Sequence, residues 1–303
     1  MARASARASE NAPGALFVDD SCIDCETCRV IAPEVFTRSG RLGQSVVGRQ
    51  PAAESEALRA RMAIESCPTS SIGSESKADL RDAVASLPLP IEGEVHYCGY
   101  ASESSYGAAS YLVRREAGNV LVDSPRAARP LMDRIESMGG VARMFLSHRD
   151  DVADHARYAH RFRCERILHA ADVGAATRGV ERCIEGTGPV SLAPDLLAIP
   201  VPGHTRGSLA LLYRGRFLFT GDHLWGSGDG SGLDASSDVC WYSWSEQMRS
   251  MERLLAFDFE WVLPGHGPRF NAPAARMRAA LEKLVLRMKS GAGFGPQLRG
   301  GGQ

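Results

Sequence analysis

The sequence predicts a protein of two domains, in which a small α+β domain is followed by a larger, layered α/β domain. Three observations support this fold class. Three of the eight cysteines stand close together near the N-terminus. A segment punctuated by Pro and Gly comes later, and beyond it apolar strands alternate with amphipathic helices. Such alternation is typical of sheets that are covered by helices.

Length and composition agree with this division and exclude several classes of protein. The chain has 303 residues, which corresponds to about two domains at ~150 residues each. Hydrophobic residues make up 44% and charged residues 23%, which argues against a disordered chain. The formal net charge of -1 argues against nucleic acid or a membrane surface as partner.

The sequence also bears on the compartment. No run approaches the ~18 apolar residues of a membrane-spanning helix, and no signal-peptide core is present. Clustered free thiols persist in reducing compartments. We therefore expect a cytoplasmic location, with the plastid stroma as the alternative.

Changes in composition predict the domain boundaries. The first residues are rich in Ala, Ser and Arg without an apolar period, as in disordered segments. The segment AAESEALRARMAIES predicts a helix that ends at Cys67-Pro68, and LPLPIEG is typical of a linker. The prediction is a disordered leader (1–15), a small domain (16–73), a linker (74–93), a larger domain (94–288) and a Gly-rich flexible tail (289–303).

The larger domain is predicted from its alternating elements. SYLVRR and NVLVDSP are predicted as paired strands, ARPLMDRIESMG as a helix and VARMFLS as a buried strand. A helix in DVADHARYAHRF and a strand in ERILHA follow. The predicted elements after these are the strands LLAIPVP, LALLYRG and RFLFTGD, a helix in WSEQMRSMERLLAF, a strand in FEWVLPGHG and a terminal helix in ARMRAALEKLVLRMK.

The cysteine cluster predicts a metal cofactor. Cys22-x2-Cys25-x2-Cys28 places three thiolates on one tight loop, and Cys67 is placed to supply a fourth. Such a loop wraps an iron–sulfur cubane, with a remote cysteine completing the ligands. The alternative is a zinc site with four thiolates, but such sites usually take their ligands from two C-x2-C pairs. Because the second pair is missing, the spacing favours iron–sulfur.

The residues around these cysteines resemble a known family. DDSCIDCETCRVIAPEVF and CPTSSI are similar to a single-cluster bacterial-type ferredoxin, over about residues 16–73. The resemblance implies one 4Fe–4S cluster and an electron-transfer partner. All four ligand positions are filled, which favours 4Fe–4S over 3Fe–4S. The implied ligands are Cys22, Cys25, Cys28 and Cys67.

Histidines and aspartates follow apolar strands at several separated places in the larger domain. Strand ends converge at one edge of a sheet, so these side chains can meet. Imidazoles and carboxylates are ligands for zinc, iron or manganese. Each residue alone has a plainer explanation, such as capping of a turn by Asp222, but their joint occurrence favours a metal site. His148, Asp150, Asp154 and His155 follow MFLS, His204 follows AIPVPG, Asp222 follows FLFTG and His266 follows WVLPG.

The same segments resemble the metallo-β-lactamase superfamily over residues 94–285. SHRDDVADH, PGHTRGS, FTGDH and LPGHG stand in the order of the ligand motifs of that family. The resemblance implies a four-layer αββα sandwich, with Asp123 in NVLVDSP as a structural residue at the end of an early strand. Asp150 takes the offset of a family histidine, and it is either a ligand or a helix cap. The implied grouping is His148, Asp150 and His204 on one ion, and Asp154, His155 and His266 on the other, with Asp222 shared.

The ligand set implies a chemistry. An aspartate stands at position 222, as in glyoxalase II-like hydrolases, where the β-lactamases proper have a cysteine. The resemblance implies a site for one or two zinc or iron ions and a small-molecule ester or thioester substrate, which a metal-activated hydroxide attacks. Asp154 is the implied catalytic residue, because it could orient the nucleophile.

Two other functions remain open at this point. A hydrolase has no chemical use for an electron carrier, so the chain could be a redox enzyme with an iron or di-iron site fed by the cluster. The flavodiiron and sulfur-dioxygenase branches of the superfamily are examples of such sites. The altered SHRDDVADH loop also allows a sensor or binding protein that the iron–sulfur cluster gates.

Overall fold

The structure is a computed structural model and describes residues 2–76 and 78–291. Its contacts divide the chain into two compact units, Met1–Met144 with Asp150–Arg166, and Phe145–Arg149 with Ile167–Gln303. The predicted mixed α and β fold class is confirmed, because both sheets and helices are formed. Within the described ranges, no helix has the length and apolar character that a membrane crossing requires.

The described helices and strands are short and follow one another closely along the chain. Up to residue 145 they are β1 (Leu16–Val18), α1 (Thr27–Ile31), β2 (Phe36–Ser39), β3 (Gln44–Val47), α2 (Glu54–Ser66), β4 (Ile72–Ser74), α3 (Arg81–Ala85), β5 (Leu89–Glu92), β6 (Val95–Tyr97), β7 (Tyr111–Val113), β8 (Val120–Val122), α4 (Arg129–Ser137) and β9 (Arg143–Phe145). The later elements are α5 (His155–Phe162), β10 (Glu165–His169), β11 (Arg182–Ile184), β12 (Val190–Ala193), β13 (Leu196–Pro200), β14 (Leu209–Tyr213), β15 (Phe217–Gly221), β16 (Trp225–Gly226), β17 (Leu233–Asp234), α6 (Trp244–Leu254), β18 (Trp261–Pro264), β19 (Phe270–Asn271) and α7 (Ala274–Ser290).

The first unit begins with two small antiparallel pairs and two helices. β1 pairs with β4, and β2 pairs with β3. Helix α2 has Glu54 and Glu56 in its first turn, where negative charge interacts favourably with the helix dipole. The helix buries Met62 and Ala63 completely or nearly so, and it ends before Cys67, as predicted. This end places a cysteine at a fixed position beside the loop before α1.

The residues predicted as a disordered leader (1–15) differ from that prediction where the structure describes them. The Ala8 amide donates to the Val18 carbonyl oxygen at 2.9 Å. The Asn11 side-chain oxygen accepts from the amides of Val18 and Val47, at 3.1 and 2.9 Å. One amide side chain thus satisfies backbone groups of both β1 and β3. Composition cannot reveal such a bond, because it depends on a single residue.

The predicted linker and tail have different outcomes. Residues 74–93 hold α3 and β5, and β5 pairs antiparallel with β6. The segment predicted as a linker therefore contains regular structure, with Pro90 inside β5 and Gly93 directly after it. Helix α7 continues to Ser290. The predicted flexible tail lies outside the described residues from position 292 onward.

The remainder of the first unit contains an antiparallel meander of β5, β6, β7 and β8. Strands β6, β7 and β8 are buried along their whole length. Their apolar sequences VHY, YLV and VLV explain this burial, because no side of these strands carries a row of charges. Asp123 follows β8 directly and is buried, with a left-handed φ of 56°.

The second unit contains a six-stranded sheet in the order β12, β13, β14, β15, β18, β19. All its neighbouring pairs are antiparallel except β15 and β18, which are parallel. β13, β15 and β18 therefore run in the same direction and end at the same edge. Helices α6 and α7 contribute Met251 and Leu281 to a core that also contains Leu218 and Val262. This edge carries the loops described below.

The core of the second unit yields a prediction about stability. Leu218 is fully buried in β15, so Leu218→Ala removes packed methyl groups and leaves a cavity. We expect the free energy of unfolding to fall by about 2–5 kcal/mol. Urea unfolding followed by circular dichroism measures this change. Leu286→Ala is the matched control because Leu286 is 68% exposed, and equal losses for both variants would contradict the described core.

Candidate metal centres

The four cysteines of the predicted cluster line one cavity of the first unit. Cys22 and Cys25 lie on the loop that leads into α1, Cys28 lies in the first turn of α1, and Cys67 directly follows α2. The loop turns tightly, because Asp24 has a left-handed φ of 57°. The cavity is also lined by Val18, Ile23, Thr27, Ser45, Pro68, Thr69, Ser71 and Ile72. The structure thus brings together all four predicted cluster ligands.

The thiols of this cavity are buried and affect one another electrostatically. Burial raises the pKa of Cys25 to about 11 and that of Cys28 to about 12. Burial also raises the pKa of Cys22, and charge on Cys67 adds to this rise. Four thiolates in such a space repel one another, so their ionised form requires a compensating positive charge. The iron ions of a cluster would supply that charge, and the donor set fits a 4Fe–4S cluster.

Hydrogen bonds form at two of the sulfur atoms. The Ser71 amide donates to Cys67 Sγ at 3.3 Å. The Cys25 thiol donates to Thr27 Oγ1 at 3.4 Å. Hydrogen bonds to ligand sulfur tune the potential of iron–sulfur clusters. None of the eight cysteines, all of which lie in the described ranges, forms a disulfide.

A second group of candidate ligands lies at the sheet edge of the second unit. His204 follows β13, Asp222 follows β15 directly, and His266 follows β18. Because these three strands end at the same edge, their following loops converge there, as predicted. His148 belongs to the same unit, and the preceding residue, Ser147, accepts at its carbonyl oxygen from the amide at the start of β14 at 2.7 Å.

Gly221 permits this convergence. A Cβ atom at this position would lie 2.4 Å from Ser147 Oγ and 3.3 Å from His148 Nδ1. The residue also has a φ of 50°, which glycine adopts without steric cost. The sequence Thr-Gly-Asp at the end of β15 therefore brings His148 close to the carboxylate that follows.

Three imidazoles surround the Asp222 carboxylate. His266 Nδ1 donates to Asp222 Oδ1 at 2.8 Å. The Nε2 atoms of His148 and His204 lie 3.8 and 3.7 Å from Asp222 Oδ2. These two separations exceed hydrogen-bond distance. They are close to the roughly 3.3 Å between ligand atoms in a tetrahedral zinc site with bonds of about 2.0 Å. The arrangement therefore fits a divalent cation.

Two of the histidine rings have a hydrogen-bond partner at Nδ1, on the side away from Asp222. The Nδ1 atom of His204 donates to the Val239 carbonyl oxygen at 2.5 Å. This bond assigns the proton to Nδ1 and directs the Nε2 lone pair towards the side of Asp222. His148 Nδ1 lies 2.9 Å from Ser147 Oγ. The rings of His148 and His204 meet edge to face, with their centroids 4.7 Å apart.

Asp222 is ionised in this surrounding. Burial by itself would raise the pKa of Asp222. Positive charge and the hydrogen bond from His266 oppose burial, and charge on His148 and His204 adds to their effect. The result is a pKa well below the usual range of an aspartate. The carboxylate is therefore available as an anionic ligand.

Sequence reasoning missed Asp172, which positions the loop that carries His204. Its carboxylate is buried and accepts from Thr205 Oγ1 at 2.5 Å and from the Gly207 amide at 2.8 Å. Both donors belong to the GHTRGS segment. No pattern in the sequence indicates this role, because Asp172 lies far from the loop along the chain and follows no ligand motif.

The other predicted ligands, Asp150, Asp154 and His155, belong to the first unit. Asp150 is exposed. Asp154 Oδ2 accepts from the Ala127 amide at 2.7 Å, and His155 Nδ1 lies 3.2 Å from Arg166 Nη1. Their role as metal ligands remains a prediction. The same holds for the implied grouping of ligands around two ions.

Comparison with known families supports the first centre. Residues 18–74 match the family described as the 4Fe-4S single cluster domain of Ferredoxin I. The matched segment includes all four predicted cluster ligands, Cys22, Cys25, Cys28 and Cys67. The prediction of a ferredoxin-type 4Fe–4S domain in this part of the chain is confirmed. No curated protein matches the chain in sequence.

The chain is also similar to several solved structures, each at low sequence identity. ETHE1 from Myxococcus xanthus is 21% identical with a TM-score of 0.47, and the match covers 67% of this chain and 92% of that one. ST1585 from Sulfolobus tokodaii, described as an archaeal metallo-beta-lactamase superfamily protein, is 17% identical with a TM-score of 0.47 and coverages of 70% and 92%. The metallo-beta-lactamase FIM-1 from Pseudomonas aeruginosa, in a mono-zinc form, is 15% identical with a TM-score of 0.48 and coverages of 65% and 93%.

The cysteine site yields a prediction about cofactor content. Cys67→Ser removes one thiolate ligand, so we expect anaerobically purified protein to lose iron, sulfide and visible cluster absorbance. Cys183→Ser is the control, because Cys183 is an exposed, isolated cysteine. Unchanged iron and sulfide in Cys67→Ser would contradict the ligand assignment.

The histidine site yields a prediction about a second metal. His204→Ala removes an imidazole beside Asp222 and should lower the affinity for zinc or ferrous iron by at least about tenfold. Titration with each metal, followed by calorimetry, measures this affinity. The exposed His160 provides the control variant His160→Ala. If both variants bind each metal with the affinity of the wild type, His204 is not a ligand of the site.

Proposed function

We propose that this chain is a metal-dependent hydrolase that acts on a small-molecule ester or thioester and carries an iron–sulfur ferredoxin domain. The observation that supports this proposal is the partly buried Asp222 carboxylate with three imidazoles around it. Histidine and carboxylate ligands are the usual set for hydrolytic zinc and for non-haem iron. The mono-zinc form of the similar FIM-1 structure agrees with a divalent ion at such a site.

The charge of Asp222 and the orientation of His204 suit this site to binding a cation. Asp222 stays ionised, and His204 is held by its bond to the Val239 carbonyl oxygen with Nε2 towards the carboxylate. A divalent ion held there would polarise a substrate oxygen and lower the pKa of water. The proposal assigns Asp154 to orienting the nucleophile. The bond from the Ala127 amide to Asp154 Oδ2 fixes the direction of that carboxylate.

A redox enzyme is the second candidate function, and the ferredoxin family match favours it. A 4Fe–4S domain carries single electrons, and hydrolysis consumes none. In this alternative the histidine site holds iron, which receives electrons from the cluster. An electron-transfer partner and a reducing compartment, such as the cytoplasm, belong to both proposals.

The hydrolase proposal predicts the effect of one substitution. Asp222→Asn removes the anionic ligand while keeping its shape, so kcat/KM towards the best substrate of an ester, thioester and phosphodiester panel should fall by at least about 100-fold. Asp238→Asn, which changes a carboxylate outside the described ligand group, is the control. Protein that holds its metal but hydrolyses no member of the panel would count against the proposal.

Metal analysis separates the two candidate functions. Anaerobic purification followed by iron, zinc and sulfide quantitation and EPR spectroscopy tests both centres together. One or two zinc ions per chain in addition to the cluster iron, with no redox-active signal besides the cluster, support hydrolysis. Iron beyond four per chain, with a second reducible signal that disappears in His204→Ala, supports the redox enzyme.

A further inference from the structure

Gly107 packs directly against a cluster ligand, although it lies outside the segment that matches the ferredoxin family. A Cβ atom at Gly107 would lie 2.3 Å from Cys25 Cβ and 2.8 Å from Cys25 Sγ. It would also lie 3.4 Å from Pro68, which follows the fourth ligand. No side chain fits there without moving the cysteine, because the clash is with the first atom of its side chain.

Hydrogen bonds hold the backbone of Gly107 in this position. The buried Thr27 hydroxyl donates to the Gly107 carbonyl oxygen at 3.3 Å. The Gly107 amide donates to the Ser102 carbonyl oxygen at 2.8 Å, which closes the loop on itself. The Ala101 amide donates to the Ser66 carbonyl oxygen at 3.2 Å, directly before Cys67. Residues 101–108, here called the cover loop, are thus tied to both ligand segments.

We propose that the cover loop forms a wall of the cluster site and that Gly107 is its positioning residue. The loop excludes water from the side of the site where Cys25 lies. A cluster with four thiolates carries more negative charge when it is reduced, and water stabilises the more highly charged form. Displacing the loop should therefore raise the reduction potential and hasten oxidative loss of the cluster. This inference rests on the ferredoxin domain and is independent of the proposed hydrolysis.

A glycine pair provides the test. Gly107→Ala and Gly186→Ala place a Cβ atom on similar left-handed backbones, with φ of 85° and 79°, but the Cβ at Gly186 has open space around it. The left-handed φ is thus matched, and the two variants differ in the contacts with Cys25 and Pro68. The full chain, purified anaerobically with its cluster, is exposed to air while the visible cluster absorbance is recorded. We expect several-fold faster loss in Gly107→Ala and wild-type loss in Gly186→Ala.

A second pair keeps the test decisive if Gly107→Ala does not fold. Thr27→Val removes the hydroxyl that holds Gly107, and Thr27→Ser retains it. We expect faster loss of absorbance and a higher potential, measured by EPR-monitored redox titration, in the valine variant, with the serine variant close to wild type. Wild-type decay and potential in both Gly107→Ala and Thr27→Val would overturn the proposal. So would equal changes in Thr27→Val and Thr27→Ser.

Discussion

The stabilisation of one carboxylate charge is the interaction on which the proposed metal site depends. The Asp222 side chain is only 13% exposed, and an ionised carboxylate in such a place is costly unless nearby groups stabilise its charge. The hydrogen bond from His266 provides this stabilisation, and the rings of His148 and His204 lie beside the same carboxylate. His204, Asp222 and His266 meet because β13, β15 and β18 end at the same edge of one sheet. The order and direction of these strands are therefore requirements of the site.

The two candidate centres differ in how their ligands are gathered. In the cysteine site three ligands come from one short segment, the loop before α1 and its first turn, so local turns such as the left-handed Asp24 largely set their geometry. In the histidine site every ligand comes from a different loop, and the sheet edge sets the geometry. The donor atoms differ accordingly. Buried thiols with raised pKa values suit an iron–sulfur cluster, whereas imidazole and carboxylate suit zinc or iron.

The sequence predicts those features that have a local pattern. The Cys-x2-Cys-x2-Cys spacing indicated the cluster, and the apolar runs of β13 to β15 indicated buried strands with His204 and Asp222 after their ends. The roles of Asp172 and Asn11 could not be predicted, because each acts through hydrogen bonds to backbone far away in sequence. Strand β5 within the predicted linker could not be foreseen, because the Pro and Gly residues that are typical of linkers also occur in and beside short strands.

The hydrogen bonds of Asn11 bear on where the ferredoxin part can be cut. The family match begins at residue 18, yet the Asn11 oxygen is the acceptor for the amides of Val18 and Val47. A fragment trimmed to the matched segment would lose that acceptor, and two strand amides would have to find water instead. The folded ferredoxin part thus extends beyond the segment that matches the family, since it includes Asn11.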